Sequence, residues 1–206
     1  MDDIFHKINS SCTLNTGDIE TTVSSILATC RDLVYDRGYR NITTYDPYHG
    51  CTQNSPVIKA NDGNGNEVFV YWHNEERVGI KFIRQLDEIH LKNNKKRTVV
   101  LLSIDGPTAF SKKECDIRNW IQLLLYKELY VNITKHSMVP PHRKLQDEEI
   151  EDLKKRYGLS TDMQELPKMS INDPVSKYYK YDRGSVVEIK RSVGTLEETK
   201  YYRLVQ

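Results

Sequence analysis

The sequence lacks the features that cross-link small secreted proteins or hold proteins in membranes. Four cysteines are scattered over 206 residues without a Cys-x-x-Cys pair: Cys12, Cys30, Cys51 and Cys115. This spacing suggests neither a disulfide framework nor a thiolate zinc site, so we expect free thiols in a reducing compartment. A basic N-terminal segment followed by an apolar core is missing, and so is any run approaching the roughly 18 apolar residues of a spanning helix. The sequence therefore predicts a soluble, non-secreted protein without membrane contact.

A surplus of positive charge is also missing. Residues 1–142 contain 17 Lys and Arg against 17 Asp and Glu, and residues 143–206 contain 13 against 12. A protein that binds DNA strongly by itself needs excess cations to displace counterions from the phosphates. We therefore expect any contact with DNA to be auxiliary.

The first part of the chain alternates strand and helix patterns. Apolar residues at three- and four-residue steps predict a helix over 19–34, capped by Thr16 or Asp18 and stopped by Gly38. Residues 41–66 read as a loop with a Gly- and Asn-rich end. The other predicted elements are strands over 67–72, 78–82, 98–104 and 130–134, and helices over 83–91, after Pro107 and over 117–124. This alternation indicates an α/β domain.

The second part reads as a small α+β domain. The segment Val139–His142 contains two prolines and supplies a boundary, giving predicted domains over 1–141 and 142–206. The predicted elements after it are a helix from Asp147 to Gly158, a helix starting at Asp173-Pro174, and strands over 186–190 and 200–205.

A longer motif runs from residue 129 to the end of the chain. It comprises Leu129–Thr134, His136, Val139, Pro140, His142, Leu145, Leu153–Tyr157, Leu166, Pro167, Asp173–Val175, Tyr178, Arg183, Gly184, Val186, Val187, Ile189, Arg191, Tyr202 and Arg203. In this order and spacing it resembles the assembly domain of a shared small subunit of multisubunit DNA-dependent RNA polymerase. That family is known as subunit 5 in eukaryotes, and its archaeal counterpart is similar only to the assembly domain.

The resemblance implies a structural role in transcription. The C-terminal domain would dock on the largest polymerase subunit, beside other subunits, and the N-terminal jaw would lie near downstream duplex DNA. No catalytic residue, metal or cofactor is implied, because nucleotidyl transfer belongs to another subunit. The positions implied to be structurally or interfacially required are Pro140, His142, Arg156, Leu166, Pro167, Asp173, Pro174, Arg183, Gly184 and Arg203.

The N-terminal part resembles the eukaryotic jaw only at Asp36–Tyr39 and Val78–Lys81. Two departures concern the second part: Lys180-Tyr181 replaces a usual glycine and leucine, and the loop Ser192–Thr199 lacks the usual sequence. A weak jaw match beside a strong assembly-domain match is what we expect of a version encoded by a large cytoplasmic DNA virus. The implied location is the virion and host cytoplasm for a viral protein, or the nucleus for a cellular one.

An enzyme remains the alternative interpretation. Glu188-Ile189-Lys190 has the Glu-x-Lys form with which one nuclease class binds a metal, and Asp173 would supply the upstream acid. Alternating charges on an exposed strand explain the same motif more simply. His136 and His142 have no cysteine nearby to complete a tetrahedral metal site, so we interpret them as local hydrogen-bonding residues.

Two further patterns have alternative interpretations. The basic segment Lys92–Arg97 fits an import signal or a phosphate contact, but a solvated turn is the simpler interpretation. Five tyrosines fit either a base-stacking platform or core and interface positions, of which we favour the latter: Tyr178, Tyr179, Tyr181, Tyr201 and Tyr202. The alternative function is therefore a metal-dependent nuclease or an independent DNA-binding module.

Overall fold

The computed structural model describes residues 18–45, 55–73, 77–90, 97–193 and 197–206. The chain forms two compact units, Met1–Val131 and Asn132–Gln206, and each is described by itself. The division into a jaw and an assembly domain at residues 141 and 142 stays a prediction.

The first unit contains a five-stranded mixed sheet in the order β1-β2-β3-β4-β5. The first three strands pair antiparallel, and β3, β4 and β5 are parallel. In chain order the elements are α1 (Asp18–Asp36), β1 (Arg40–Thr44), β2 (Ile58–Asn61), β3 (Glu67–Trp72), α2 (Ile80–His90), β4 (Arg97–Ser103), α3 (Ala109–Ile117) and β5 (Ile121–Leu125). The predicted α/β alternation is confirmed for this unit.

The core of the first unit forms where the parallel strands meet the helices. Strand β4 is buried from Val99 to Ser103, as expected for a β-branched strand covered on both faces. Its neighbours β3 and α2 contribute Tyr71, Phe82 and Leu86 to the same apolar cluster. A parallel pairing of β3 with β4 requires a crossover connection, which α2 provides.

The second unit contains a four-stranded sheet in the order β6-β8-β9-β7. Its elements are β6 (His142–Lys144), α4 (Asp147–Tyr157), β7 (Lys168–Met169), α5 (Pro174–Tyr179), β8 (Val186–Val193) and β9 (Glu197–Val205). Side chains alternate along β8 because successive residues of a strand point to opposite faces. Val186 packs in a cluster with Leu153 of α4, whereas Val187 packs in a cluster with Val175 of α5. We call these the α4 face and the α5 face.

Several predicted elements of the first unit are wrong. Residues 121–124, expected in a helix, lie in β5, and residues 80–82, expected in a strand, begin α2. The segment 41–66 also contains strands, although it was expected to be a loop; its residues 46–54 lie outside the described ranges. Short apolar runs fit both periodicities, and long-range sheet pairing then decides between them.

Two predicted details after residue 129 are also wrong. Residues 130–134 do not form a strand, because the Asn132 side chain accepts hydrogen bonds from the backbone N–H (3.1 Å) and hydroxyl (2.6 Å) of Thr134 and supports a 3₁₀ turn. Asp147 is the first helical residue rather than the cap, since the Glu149 carboxylate accepts from the N–H of Gln146 at 2.9 Å.

Two sequence expectations concern cysteines and membranes. Cys30 and Cys115 are free thiols, whereas Cys12 and Cys51, like the candidate cap Thr16, lie outside the described ranges. Burial raises the pKa of the Cys30 thiol to about 12 and that of Cys115 to about 11. Both therefore stay protonated at neutral pH. No helix within the described ranges is long and apolar enough to cross a bilayer.

Candidate functional site

The α5 face of the second sheet brings together several of the predicted positions. His142 of β6 pairs with Ile189 of β8, and Arg203 of β9 pairs with Val187 of β8. Both side chains therefore lie on the α5 face, by strand alternation. The Arg203 guanidinium donates to the Lys168 carbonyl at 3.2 Å, which links β9 to the edge strand β7.

His142 is half-buried and held in one tautomer. Its Nδ1 lies 2.7 Å from the Pro140 carbonyl oxygen, and because a carbonyl only accepts, Nδ1 carries the proton. Burial lowers the pKa of His142. The hydrogen bond to Pro140 and the charge of Asp173 oppose this effect, and the positive charges of Arg191 and Arg203 add to it. The imidazole is therefore neutral at physiological pH, and its Nε2 is an acceptor.

Asp173 and Pro174 start helix α5. The Asp173 carboxylate accepts a hydrogen bond from the backbone N–H of Val175 at 2.9 Å, and Pro174 occupies the first turn, where its missing N–H is not needed. This predicted cap is confirmed. Asp173 thus has a structural role at the edge of the α5 face.

The α4 face carries a compact ion-pair network. Glu188, whose side chain is only 3% exposed, lies 3.3 Å from Arg143 and 3.4 Å from Lys200. Arg143 also donates to both carboxylate oxygens of Glu149, at 2.8 and 2.9 Å. The pKa of Arg143 is raised, mainly by its hydrogen bond to Glu149. Arg143, Lys200 and Glu149 were not among the predicted positions, because contacts that join two strand residues and a helix residue depend on the fold and leave no local signal in the sequence.

Arg183 and Gly184 lie at a groove beside the C-terminal strand. Gly184 adopts a φ of 82°, and its N–H donates to the Val205 carbonyl at 2.9 Å. That left-handed conformation explains a glycine here. The groove has a volume of about 560 Å³ and is lined by Asp162, Met163, Gln164, Arg183, Gly184, Leu204, Val205 and Gln206.

Three predicted positions remain: Leu166, Pro167 and Arg156. Leu166 is buried in the cluster under α4, and the Pro167 carbonyl accepts from the N–H of Leu204 at 2.9 Å. Arg156 is exposed in the last turn of α4, where a cation complements the negative end of the helix dipole. Leu166 therefore lies on the α4 face, and Arg156 lies in the helix that covers this face.

The Glu-x-Lys motif and Asp173, the upstream acid that a nuclease site would need, are engaged in different parts of the second unit. Glu188 is neutralised on the α4 face, whereas Asp173 caps the helix that covers the α5 face. In the part of the chain that the structure describes, no three His, Cys, Asp or Glu side chains converge as a metal site would require. His136 accepts at Nδ1 from the N–H of Met138 at 3.2 Å, as expected of a local role.

The tyrosines are mostly packing residues. Tyr178 and Tyr181 are 4% and 6% exposed, and Tyr202 packs against the apolar cluster beneath α4. Tyr201 differs, because 43% of it is exposed and the Arg191 guanidinium lies 5.3 Å from its ring centroid. The core interpretation is thus confirmed for Tyr178 and Tyr181, and Tyr201 lies at the surface.

The basic segment 92–97 is described only at its last residue, since residues 92–96 lie outside the described ranges. Arg97 pairs with Glu67 at 3.2 Å between β4 and β3. This residue is part of the first unit's sheet and does not present a free charge.

Comparisons with known proteins agree on one family. A family model described as "RNA polymerase Rpb5, C-terminal domain" matches residues 131–205, which include all ten predicted positions. A Caenorhabditis elegans protein, "DNA-directed RNA polymerases I, II, and III subunit RPABC1", is 28% identical over 200 residues, covering 87% of this chain and 93% of its own.

Two further relatives come from different lineages. The corresponding subunit rpabc1 of Dictyostelium discoideum is 32% identical over 152 residues, covering 71% of this chain and 75% of its own. A protein named as DNA-directed RNA polymerase subunit 454R, from Invertebrate iridescent virus 6, is 30% identical over 150 residues. The match covers 65% of this chain and 79% of the viral protein. On this evidence of motif and sequence similarity, the chain belongs to the RNA polymerase subunit 5 family.

Proposed function

We propose that this protein is a non-catalytic structural subunit of a DNA-dependent RNA polymerase. Residues 142–206 dock on the largest subunit, and residues 1–141 form a jaw beside the downstream duplex. The observation that carries the proposal is the match of residues 131–205 to the family's C-terminal domain, which falls on one compact unit of the structure. The named relatives are all polymerase subunits.

The non-catalytic part of the proposal rests on the engagement of the candidate catalytic groups. The Glu188 carboxylate already contacts two cations, and its neighbours are arranged to neutralise it rather than to hold a metal. Asp173 uses its carboxylate to cap α5. Neither group is available for the nuclease alternative without breaking a contact that stabilises the second unit.

The jaw part of the proposal extends to the first unit. The similarity to the Caenorhabditis elegans subunit spans 87% of the chain and therefore reaches well beyond the C-terminal domain. The first part has no net charge, so docking rather than free affinity would bring it close to DNA. The protein would act in the nucleus if cellular, or in the virion and host cytoplasm if viral.

Two truncations test where the docking function lies. Deletion of residues 1–128 leaves the second unit whole, so we expect the tagged fragment to recover the largest polymerase subunit from its native source. Deletion of residues 143–206 removes most of that unit, and we expect recovery to be lost. Circular dichroism of each purified fragment controls for folding. Recovery that survived the C-terminal deletion would overturn the assignment of docking to the second unit.

A further inference from the structure

We propose that the α5 face carries a docking surface for an acidic, extended segment of the largest polymerase subunit. This arginine surface consists of Arg191, Tyr201, Arg203 and His142. The inference rests on the proposed function and adds which face of the second sheet meets the partner and what chemistry it recognises.

Strand register places the four side chains on one face of the sheet. Tyr201 pairs with Ile189, and Ile189 pairs in turn with His142, so Tyr201 and His142 flank one position of β8. Arg191 lies two residues further along β8, and Arg203 lies two residues further along β9. Because the two strands are antiparallel, the arginines lie on opposite sides of the Ile189–Tyr201 pair. Residues two apart on a strand share a face, so all four side chains lie on the α5 face.

The charge of Arg191 is not neutralised by any carboxylate among the side chains that the structure describes. Its guanidinium instead lies over the Tyr201 ring, 5.3 Å from the centroid. Arg143, on the opposite face, contacts both Glu149 and Glu188. The two arginines therefore differ in availability, and Arg191 is the one that can receive a carboxylate from a partner.

This cation–π arrangement suits protein recognition. An aromatic ring beneath a guanidinium limits its motion and leaves its N–H edge free for a bidentate carboxylate. Tyr and Arg are also residues in which binding energy concentrates at protein interfaces. Tyr201, with 43% of its surface exposed, adds apolar area beside the charge.

His142 defines a second requirement of the partner. Its Nδ1–H is used by the Pro140 carbonyl at 2.7 Å, so the neutral ring offers Nε2 as an acceptor. A backbone N–H satisfies this acceptor, whereas an ionised phosphodiester has no donor to offer. An acidic peptide supplies carboxylates and N–H groups along one backbone, whereas the donors of a nucleic acid lie on its bases and sugars and not on its phosphates, so the pairing of cation and acceptor favours a protein segment.

Adjacent residues on β8 provide a matched control. Arg191 and Lys190 are both exposed cations, but they point to opposite faces of the sheet. In the full-length tagged chain we expect R191E to lower recovery of the largest subunit roughly tenfold or more, R191K to give an intermediate loss, and K190E to stay within about twofold of the wild type. Unchanged thermal midpoints of the purified variants exclude unfolding as the cause.

A second measurement identifies the partner directly. A photoreactive phenylalanine analogue at position 201 should crosslink to the largest subunit in assembled polymerase, and the analogue at position 190 should not. Failure of the wild-type chain to recover polymerase would overturn the proposed function itself. Normal assembly with R191E, a greater loss with K190E, or crosslinking from position 201 to nucleic acid would overturn the arginine surface while leaving the subunit role intact.

Discussion

At the scale of single residues, His90 at the end of α2 is an ionisable group held in an apolar setting. The residue is 5% exposed and its Nε2 lies 2.8 Å from the Tyr71 hydroxyl, while its Nδ1 finds no hydrogen-bond partner among the described residues. The Phe69 and Trp120 rings lie 4.7 and 6.0 Å from its own. Burial, assisted by the positive charge of Arg97, lowers the pKa of His90 to about 4.

His90 makes the stability of the first unit dependent on pH. Below pH 6.5 His90 is protonated in the unfolded chain, whereas in the folded chain it stays neutral down to about pH 4. The free energy of unfolding therefore falls with decreasing pH between these two values. We expect a loss on the order of 2 kcal/mol in unfolding free energy between pH 7 and pH 5. Urea unfolding followed by tryptophan fluorescence measures it selectively, because both tryptophans, Trp72 and Trp120, lie in the first unit.

The control for this pH dependence is the double variant H90F/Y71F. It removes the titrating ring and the hydroxyl that would lose its partner, while keeping the aromatic packing. We expect its unfolding free energy to change by much less between the two pH values. An equal loss in the wild type and the double variant would assign the pH dependence to other groups.

At the scale of elements, helix α5 ends in an unusual residue. Lys180 adopts the left-handed conformation, with φ 54° and ψ 53°, and its N–H donates to the Lys177 carbonyl at 3.2 Å. The family resemblance leads us to expect glycine there, and glycine adopts this conformation without the steric cost of a Cβ atom. This departure from the family pattern therefore produces a strained helix end.

Replacing this residue by glycine should stabilise the second unit. We expect K180G to raise its unfolding free energy by about 1 kcal/mol, whereas K180A, which loses the same charge but keeps the Cβ, should not. Hydrogen exchange of peptides from residues 174–190, read by mass spectrometry, measures this unit alone. Equal protection in K180G and K180A would contradict backbone strain as the cause.

Sequence patterns predicted those elements in which local signals agree with long-range packing. Strand β4 and the helix that ends at Gly158 are within a residue of their predicted bounds, because a β-branched run and a glycine stop each act locally. Strand β5 was mistaken for a helix, since residues 121 and 124 fit a helical step and only parallel pairing with β4 fixes the strand.

In the candidate site, too, local interactions were predictable from the sequence and long-range ones were not. Asp173 was predictable as a helix cap from its neighbour Pro174, because capping is a local interaction. The pairing of Glu188 with Arg143 joins residues 45 positions apart, and no sequence periodicity encodes it. The cation–π contact of Arg191 with Tyr201 likewise depends on the register of β8 with β9.

At the scale of the whole molecule, balanced charge limits what the free chain can do with DNA. The formal net charge is +1, and the arginines that fold into ion pairs, such as Arg97, Arg118 and Arg143, are already neutralised by carboxylates. Few counterions would therefore be released from a duplex on binding.

We accordingly expect the purified chain to bind duplex DNA only weakly at physiological salt, with a dissociation constant no tighter than about 10⁻⁴–10⁻⁶ M. Within assembled polymerase, the jaw should nevertheless crosslink to downstream duplex from photoreactive residues at positions 92–97 or 105–106, because tethering raises the effective concentration. Filter binding over a salt series tests the free chain. Tight binding with a steep salt slope would instead support an independent DNA-binding protein.

Affinity purification of the intact, tagged chain from its native source tests the central claim most directly. The polymerase subunit role predicts that the two largest subunits of an RNA polymerase are recovered in stoichiometric amounts and remain bound through a gel-filtration step. Recovery of the chain alone, or with partners that include no polymerase subunit, would contradict it.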